Sequence, residues 1–301
     1  MPMSPDELIS VVIPTYNRAG TLKRAIDSVL NQDYRNIEVI VVDDASSDGT
    51  GEILAAMSDP RLRVVVHDTN RGVAAATNTG IRAARGAYVA FQDSDDEWLH
   101  GKLTRQAAQF AAAPKDCVCV YCIKIVYGRD PQFDRGNRRV ACVPGPGVAE
   151  VAGRIAQRLW QGNIVSPQTA ICDKAAVLRL GGFDERLRAD QDWDFFSRLA
   201  ETGSFGFVDA PLVNTYIQPD SISLFSRRSL FSQVVICNKM RKRGVPVQVL
   251  AGHWARLGTR MSRQQGMRRR ARILLRAALA ARPKDPRIWV RLALTRLPRR
   301  A

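Results

Sequence analysis

Four carboxylates occupy five consecutive positions where an apolar run stops: Ala87–Phe91 leads into Gln92-Asp93-Ser94-Asp95-Asp96-Glu97-Trp98. Acids packed this closely repel one another unless they share a cation. An oxygen-rich set suits a hard divalent ion such as Mg²⁺ or Mn²⁺, which often arrives with a phosphate-bearing substrate. Alone, the run reads as a solvated turn. Two further polar sets also follow apolar runs: Pro14-Thr15-Tyr16-Asn17-Arg18 and Asp43-Asp44. A third acidic group, Asp190-Gln191-Asp192-Trp193-Asp194, comes later in the chain.

The elements that would position these residues alternate in type. Ile9–Pro14, Ile37–Val42, Leu62–Val66 and Tyr88–Phe91 read as strands. Between them, residues 21–31, 50–57 and 72–84 carry helical spacing, with Leu22, Ile26, Val29 and Leu30 on one face of the first. Such alternation predicts an α/β fold, Rossmann-like, with a mostly parallel sheet covered by helices on both faces. Ligands in such sheets bind beyond the carboxyl ends of the strands. The three polar sets fall there, so they are expected to share a pocket. Residues 101–112 are expected as a helix and 117–127 as a strand. The Gly-, Pro- and Arg-rich stretch 128–147 reads as a loop, a candidate lid over a ligand. Residues 193–200 read as a helix with Asp192 at or near its start.

Bulk properties narrow the class. A chain of 301 residues, 46% hydrophobic and 25% charged, can build a substantial core. No apolar run reaches the length of a membrane span, and the first ten residues lack the basic-then-apolar pattern of a secretory leader. The six cysteines include Cys119 and Cys122, whose spacing is that of a metal or redox pair. They lie inside an apolar strand with no second such pair, so buried free thiols and a reducing, cytoplasmic compartment are expected. A dinucleotide-binding Rossmann enzyme is excluded, because Pro14-Thr15-Tyr16-Asn17-Arg18-Ala19-Gly20 holds no glycine-rich fingerprint.

Charge is unevenly distributed. Residues 225–301 hold 21 of the 45 Lys and Arg but one of the 29 acids, Asp285. A boundary near Leu224 is therefore expected, with residues 1–224 as the site-bearing domain and 225–301 as a basic helical extension. The extension fits a packed appendage, an oligomer contact or an anionic membrane surface such as the inner face of the cytoplasmic membrane. No nucleic-acid module is recognisable, and nucleic acid is not expected as a partner.

Taken together, six segments resemble a family 2 glycosyltransferase with a GT-A fold: VVIPTYNRAGTLKRAIDSVLNQ, IEVIVVDDASSDGT, NRGVAAATNTGI, GAYVAFQDSDDEW, GGFDE and DQDWDFFSRLA. They keep the family's order and spacing over residues 8–224. The resemblance implies transfer of a sugar, with inversion, from a nucleotide diphosphate to an acceptor hydroxyl of a cell-surface glycan or glycolipid. A UDP-sugar is the expected donor and Mn²⁺ or Mg²⁺ the expected cofactor. By the same resemblance Asp93, Asp95 and Asp96 form the metal and diphosphate site, with Asp95 and Asp96 as the closest contacts. Pro14, Thr15, Tyr16, Asn17, Arg18, Asp44, Arg71, Asp93 and Ser94 line the nucleotide, Asp44 accepting from the base. Asp192 matches the general base; Trp98, Gln191 and Trp193 are candidates for the acceptor side, although Trp193 reads first as a core residue and Trp98 fits packing beneath the acidic loop as well as a border to the sugar. The alternative is a non-catalytic nucleotide-sugar-binding or scaffold protein of the same fold.

Three departures from the family pattern motivate that alternative. Thr77 stands where an Arg is common, leaving Arg71 to supply that contact. Gln191 precedes the base where Glu is frequent. No Arg or His lies near Tyr216–Ser221, so Arg135, Arg138 or Arg139 are the expected substitutes.

Overall fold

The computed structural model describes residues 7–128, 140–217 and 227–295. The chain divides into two compact units, residues 1–187 with 191–224, and residues 188–190 with 225–301.

The first unit begins with strand β1 (Ile9–Thr15), helix α1 (Leu22–Leu30), β2 (Ile37–Asp43), α2 (Thr50–Ala55), β3 (Leu62–Val66), α3 (Val73–Ala83) and β4 (Tyr88–Phe91). Every residue of β2 and β4 is buried, the signature of strands covered on both faces. Helix α1 turns Leu22, Ala25, Ile26, Val29 and Leu30 inward, the spacing of an amphipathic helix. Helix α3 approaches β1 so closely that a Cβ at Gly80 would lie 2.3 Å from a methyl of Val12, so only glycine fits there.

The chain continues through β5 (Glu97–Trp98), α4 (Lys102–Ala112), β6 (Cys117–Tyr127), β7 (Val140–Val143) and α5 (Ala156–Gln161). It ends this unit with β8 (Ala170–Asp173), α6 (Lys174–Arg179), α7 (Gln191–Leu199) and β9 (Ser204–Tyr216). Sheet order among the described residues is β3-β2-β1-β4-β8-β6-β9-β5, with β7 paired to β6. The first four strands are parallel, as expected. Beyond β4 the sheet is mixed. β8 runs antiparallel to both β4 and β6, whereas β9 lies parallel to β6. The stretch 128–147, read as a loop, contains β7, which pairs antiparallel with the end of β6. Residues 129–139 of the expected lid lie outside the described residues.

Strand alternation explains the cysteines. Cys119 faces the core built around Val12, Phe91, Phe195 and Phe205, whereas Cys122 faces the opposite core around Val11, Trp98 and Leu103. They cannot form a pair, and all six cysteines are free thiols. Burial pushes the Cys122 thiol up to about 11.

The second unit carries α8 (Arg227–Lys242), α9 (Val247–Ser262), α10 (Arg268–Ala281) and α11 (Pro286–Leu294). Ala255, Leu275, Ala278, Ile288 and Leu292 form a small core shared by α9, α10 and α11. No helix among the described residues is long and apolar enough to cross a membrane.

Candidate active site

The loops at the carboxyl ends of β1 and β2 are clamped to each other. Asn17 adopts a positive φ of 51°; its backbone N–H donates to the Ser46 hydroxyl and its Oδ1 accepts from Ser47 N–H. Arg18 N–H donates to the Thr50 hydroxyl, and Ala19 N–H to Asp48. This geometry leaves the Tyr16 ring 45% exposed, free to stack on a flat ligand. The Thr15 hydroxyl and both ends of the Gln92 amide are buried without a hydrogen-bond partner among the described residues.

Asp44 is buried at the base of this edge. It accepts from Arg71 N–H at 2.9 Å and Gly72 N–H at 2.7 Å, and pairs with His67 Nδ1 at 2.7 Å. His67 in turn meets the Thr79 hydroxyl. The Arg71 guanidinium reaches Glu185, and Glu185 accepts from Asn78. Asn78 also caps the turn at Gly182-Phe183, donating to Phe183 O and accepting from Phe183 N–H. Thr77, at the family's Arg position, is buried and returns its hydroxyl to Val73 O.

The acidic loop after β4 is pinned from α1: the Thr21 hydroxyl donates to Ser94 O, and Arg24 donates to Asp95 O while its guanidinium lies 4.4 Å from the Tyr216 ring. Arg18 Nε lies 3.9 Å from the Asp95 carboxylate. Asp96 turns inward. It is 1% exposed and accepts from Gln168 at 2.7 Å, the Thr215 hydroxyl at 2.8 Å and Tyr216 N–H at 3.2 Å. Asp96, expected as a leading metal contact, accepts from these three donors, which fix the loop's shape. Burial, with Asp95 beside it, pushes its carboxyl up to about 6 against the pull of Lys124, Thr215 and Gln168.

Asp93 is held well above the ordinary carboxylate range, first by burial and then by Asp96, Asp95 and Asp192; the Lys124 ammonium opposes them. Asp192 and the acidic loop therefore act on one another electrostatically although 99 positions separate Asp93 from Asp192 in sequence. The cause is an aromatic cluster. Phe91, just before the acidic loop, packs edge-on against Phe183 and Phe195, which stack at 4.1 Å. Phe195 belongs to α7, so the start of α7 is tied to the end of β4. Asp192 lies in the first turn of α7, and Asn163 Nδ2 donates to its Oδ2 at 2.8 Å. Gln191, beside it, has a buried Oε1 without a partner among the described residues.

The donor set matches a hard divalent cation in chemistry, since carboxylates crowd here and hold protons more tightly than usual. Among the described residues, however, no group of three or more His, Cys, Asp or Glu side chains converges to hold a metal. The fit is to a cation held by one or two protein carboxylates and completed by substrate phosphates, the usual habit of Mg²⁺.

Both acceptor-side tryptophans take the core alternative. Trp98 is 3% exposed: its indole donates to Gln168 O, and the buried Lys102 ammonium sits 3.7 Å over its ring. Trp193 is also buried, donating to Leu159 O. Both are large apolar surfaces that the core claims. Arg135, Arg138, Arg139 and residues 218–221 lie outside the described residues. Sequence reasoning missed Lys124, His67, Asn163, Gln168 and Thr215. Of these, Lys124 carried a signal, a lone cation inside an apolar strand.

Residues 10–169 match the family described as "Glycosyl transferase family 2". The Escherichia coli protein WfaP, a UDP-Glc:alpha-D-GlcNAc-diphosphoundecaprenol beta-1,3-glucosyltransferase, is 39% identical over 100 residues, 33% of this chain and 40% of that protein. The chain spans less than half the length of the curated relatives it matches. Among solved structures, S. aureus TarS 1-349 in complex with UDP-GlcNAc superposes with a TM-score of 0.65 at 18% identity, covering 95% of this chain and 90% of that one. The Pyrobaculum calidifontis mannosyltransferase PcManGT, in complex with GDP-Man and Mn²⁺, superposes with a TM-score of 0.57 at 21% identity, covering 97% and 75%. The six segments, the mixed α/β sheet and the family match agree: the chain belongs to glycosyl transferase family 2 and has its GT-A fold.

Proposed function

We propose that this protein transfers a sugar, with inversion, from a UDP-sugar to a hydroxyl of a lipid-linked or polysaccharide acceptor in cell-surface glycan synthesis. The observation that carries the reading is the cluster of Phe91, Phe183 and Phe195, which ties the start of α7, with Asp192 in its first turn, to the end of β4 and so to the acidic loop. One group can take a proton while the other faces a leaving diphosphate. WfaP, which uses UDP-Glc and a diphosphoundecaprenol acceptor, and TarS, which binds UDP-GlcNAc, support the donor and acceptor classes.

In this reading Asp192, oriented by Asn163, takes the proton of the acceptor hydroxyl as its oxygen bonds to the anomeric carbon. The bond from that carbon to the diphosphate breaks, and the diphosphate leaves with the electron pair. A Mn²⁺ or Mg²⁺ ion held by Asp95 and Asp93 would offset the charge on the diphosphate. Lys124 supplies a second positive charge beside Asp93 and Asp96. Tyr16 offers a ring to the base, and Asp44 sets the loop at Arg71 and Gly72 that borders the nucleotide and offers its carboxylate to the base.

Calorimetric titration with UDP, dTDP, GDP and CMP, each with and without Mn²⁺, tests this reading. UDP should bind best and only with metal, and Asp95→Ala should weaken that binding more than about tenfold. A protein that binds no nucleotide diphosphate in the presence of metal would return the chain to the scaffold alternative.

A further inference from the structure

Helix α11 is amphipathic in an unusual sense. Its inward face is Ile288 and Leu292, four residues apart, which join the core shared with α9 and α10. The outward face of a helix on a small bundle is normally polar. Here Trp289, Val290 and Leu294 are 55%, 58% and 57% exposed. With 3.6 residues per turn, they and the exposed Ala293 fall within an arc of about 140°. Arg287 and Arg291 border one side of that arc.

Two details define what such a face can meet. The Trp289 indole N–H already donates to Pro283 O at 2.9 Å, so its ring can enter an apolar medium without stranding a donor. Asp285, the only acid in residues 225–301, is committed to capping α11 through Arg287 N–H. No acid within residues 225–301 therefore balances the surrounding arginines.

We infer that the outward face of α11 docks on an anionic lipid bilayer, with Trp289, Val290 and Leu294 entering the interfacial region and Arg287 and Arg291 meeting lipid phosphates. Aliphatic side chains and a tryptophan flanked by cations are the composition of an interfacial helix. A second copy of the chain would bring the same uncompensated charge to the same ridge, which opposes self-association there. A nucleic acid backbone would meet the arginines but offer nothing to Val290 and Leu294. The inference does not depend on the proposed catalytic chemistry.

Co-sedimentation of the full chain with extruded vesicles tests it. Phosphatidylcholine mixed with phosphatidylglycerol should bind the protein, phosphatidylcholine alone much less, and added salt should release it. Replacing Trp289, Val290 and Leu294 together by Ser should lower the apparent affinity by on the order of tenfold or more. Arg287→Gln and Arg291→Gln should each cost roughly fivefold on anionic vesicles only. Trp289→Phe should keep most of the binding yet abolish most of the vesicle-induced blue shift, although four other tryptophans remain. All these positions but the half-buried Arg291 are exposed, so thermal melting and UDP binding should stay unchanged in every variant except Arg291→Gln, whose melting is read alongside its vesicle binding. Vesicle binding that ignores the triple Ser variant would overturn the inference. So would a triple variant that loses only self-association, or only RNA binding.

Discussion

After β2, the carboxylates of Asp43, Asp44 and Asp48 each accept backbone N–H groups, from Ser46, from Arg71 and Gly72, and from Ala19 and Thr50. After β4, Asp93 faces three other carboxylates and one lysine. Both loops follow a fully buried strand and both carry an acid within their first two positions. In the first, the carboxylates shape the loop, Asp44 while also facing the base in the proposed reading. In the second, Asp96 has that shaping role, and Asp93 is left in a setting that disfavours its own ionisation. Carboxylates satisfied by backbone hold a loop in place. Carboxylates crowded by their own kind are held ready for a cation or a proton.

The largest expected effect tests the crowded set. Asp192→Asn should lower turnover about a thousandfold, within the range general bases contribute. Metal-dependent UDP binding should survive, and melting should not fall, because one repelling charge has been removed. Turnover within tenfold of the parent would remove Asp192 from the base role.

The satisfied set should respond in the opposite way. Asp44→Ala strands the N–H groups of Arg71 and Gly72 and the ring of His67 in a buried site. A loss of about 3 kcal/mol in urea unfolding is expected, the scale of unsatisfied buried donors. Equal stability would mean that the loop at Arg71 holds itself without Asp44, and the contrast between the two loops would fail.

Both loops were visible in the sequence because β1, β2 and β4 are continuous apolar runs ending on polar residues. The expectation of a common pocket rested on strand order alone. What partners each carboxylate was not visible. Asp96 finds Gln168, Thr215 and Tyr216, which are 72, 119 and 120 positions away. Those contacts exist only because β8 enters antiparallel beside β4 and β9 returns beside β6, and short strands such as Ala170–Asp173 carry little periodicity to announce them. Trp98 and Trp193 illustrate the same limit. An aromatic next to an acid suits a sugar platform as well as a core, and only packing decides. Lys124 did carry a signal, a lone cation inside the apolar run Cys117–Tyr127, but the run by itself does not say which acids that cation meets.

The smallest effect is the sharpest test of the contrast, because it should separate stability from function in one residue. The Asp93 carboxyl is held well above its ordinary range, so the folded protein binds that proton more tightly than the unfolded chain does. The associated stabilisation is present in acid and is lost as pH rises through the raised value. At neutral pH Asp93 thus costs stability in the absence of a cation. Asp93→Asn keeps the shape, removes the charge and should raise unfolding stability by on the order of 1 kcal/mol at neutral pH. The gain should vanish as pH falls, where the parent's Asp93 is protonated too. The same variant should weaken Mn²⁺-dependent UDP binding, and adding Mn²⁺ with UDP should stabilise the parent more than the variant. If Asp93→Asn is instead less stable at neutral pH, Asp93 belongs with Asp44 among the shaping residues, and the cation site rests on Asp95 alone.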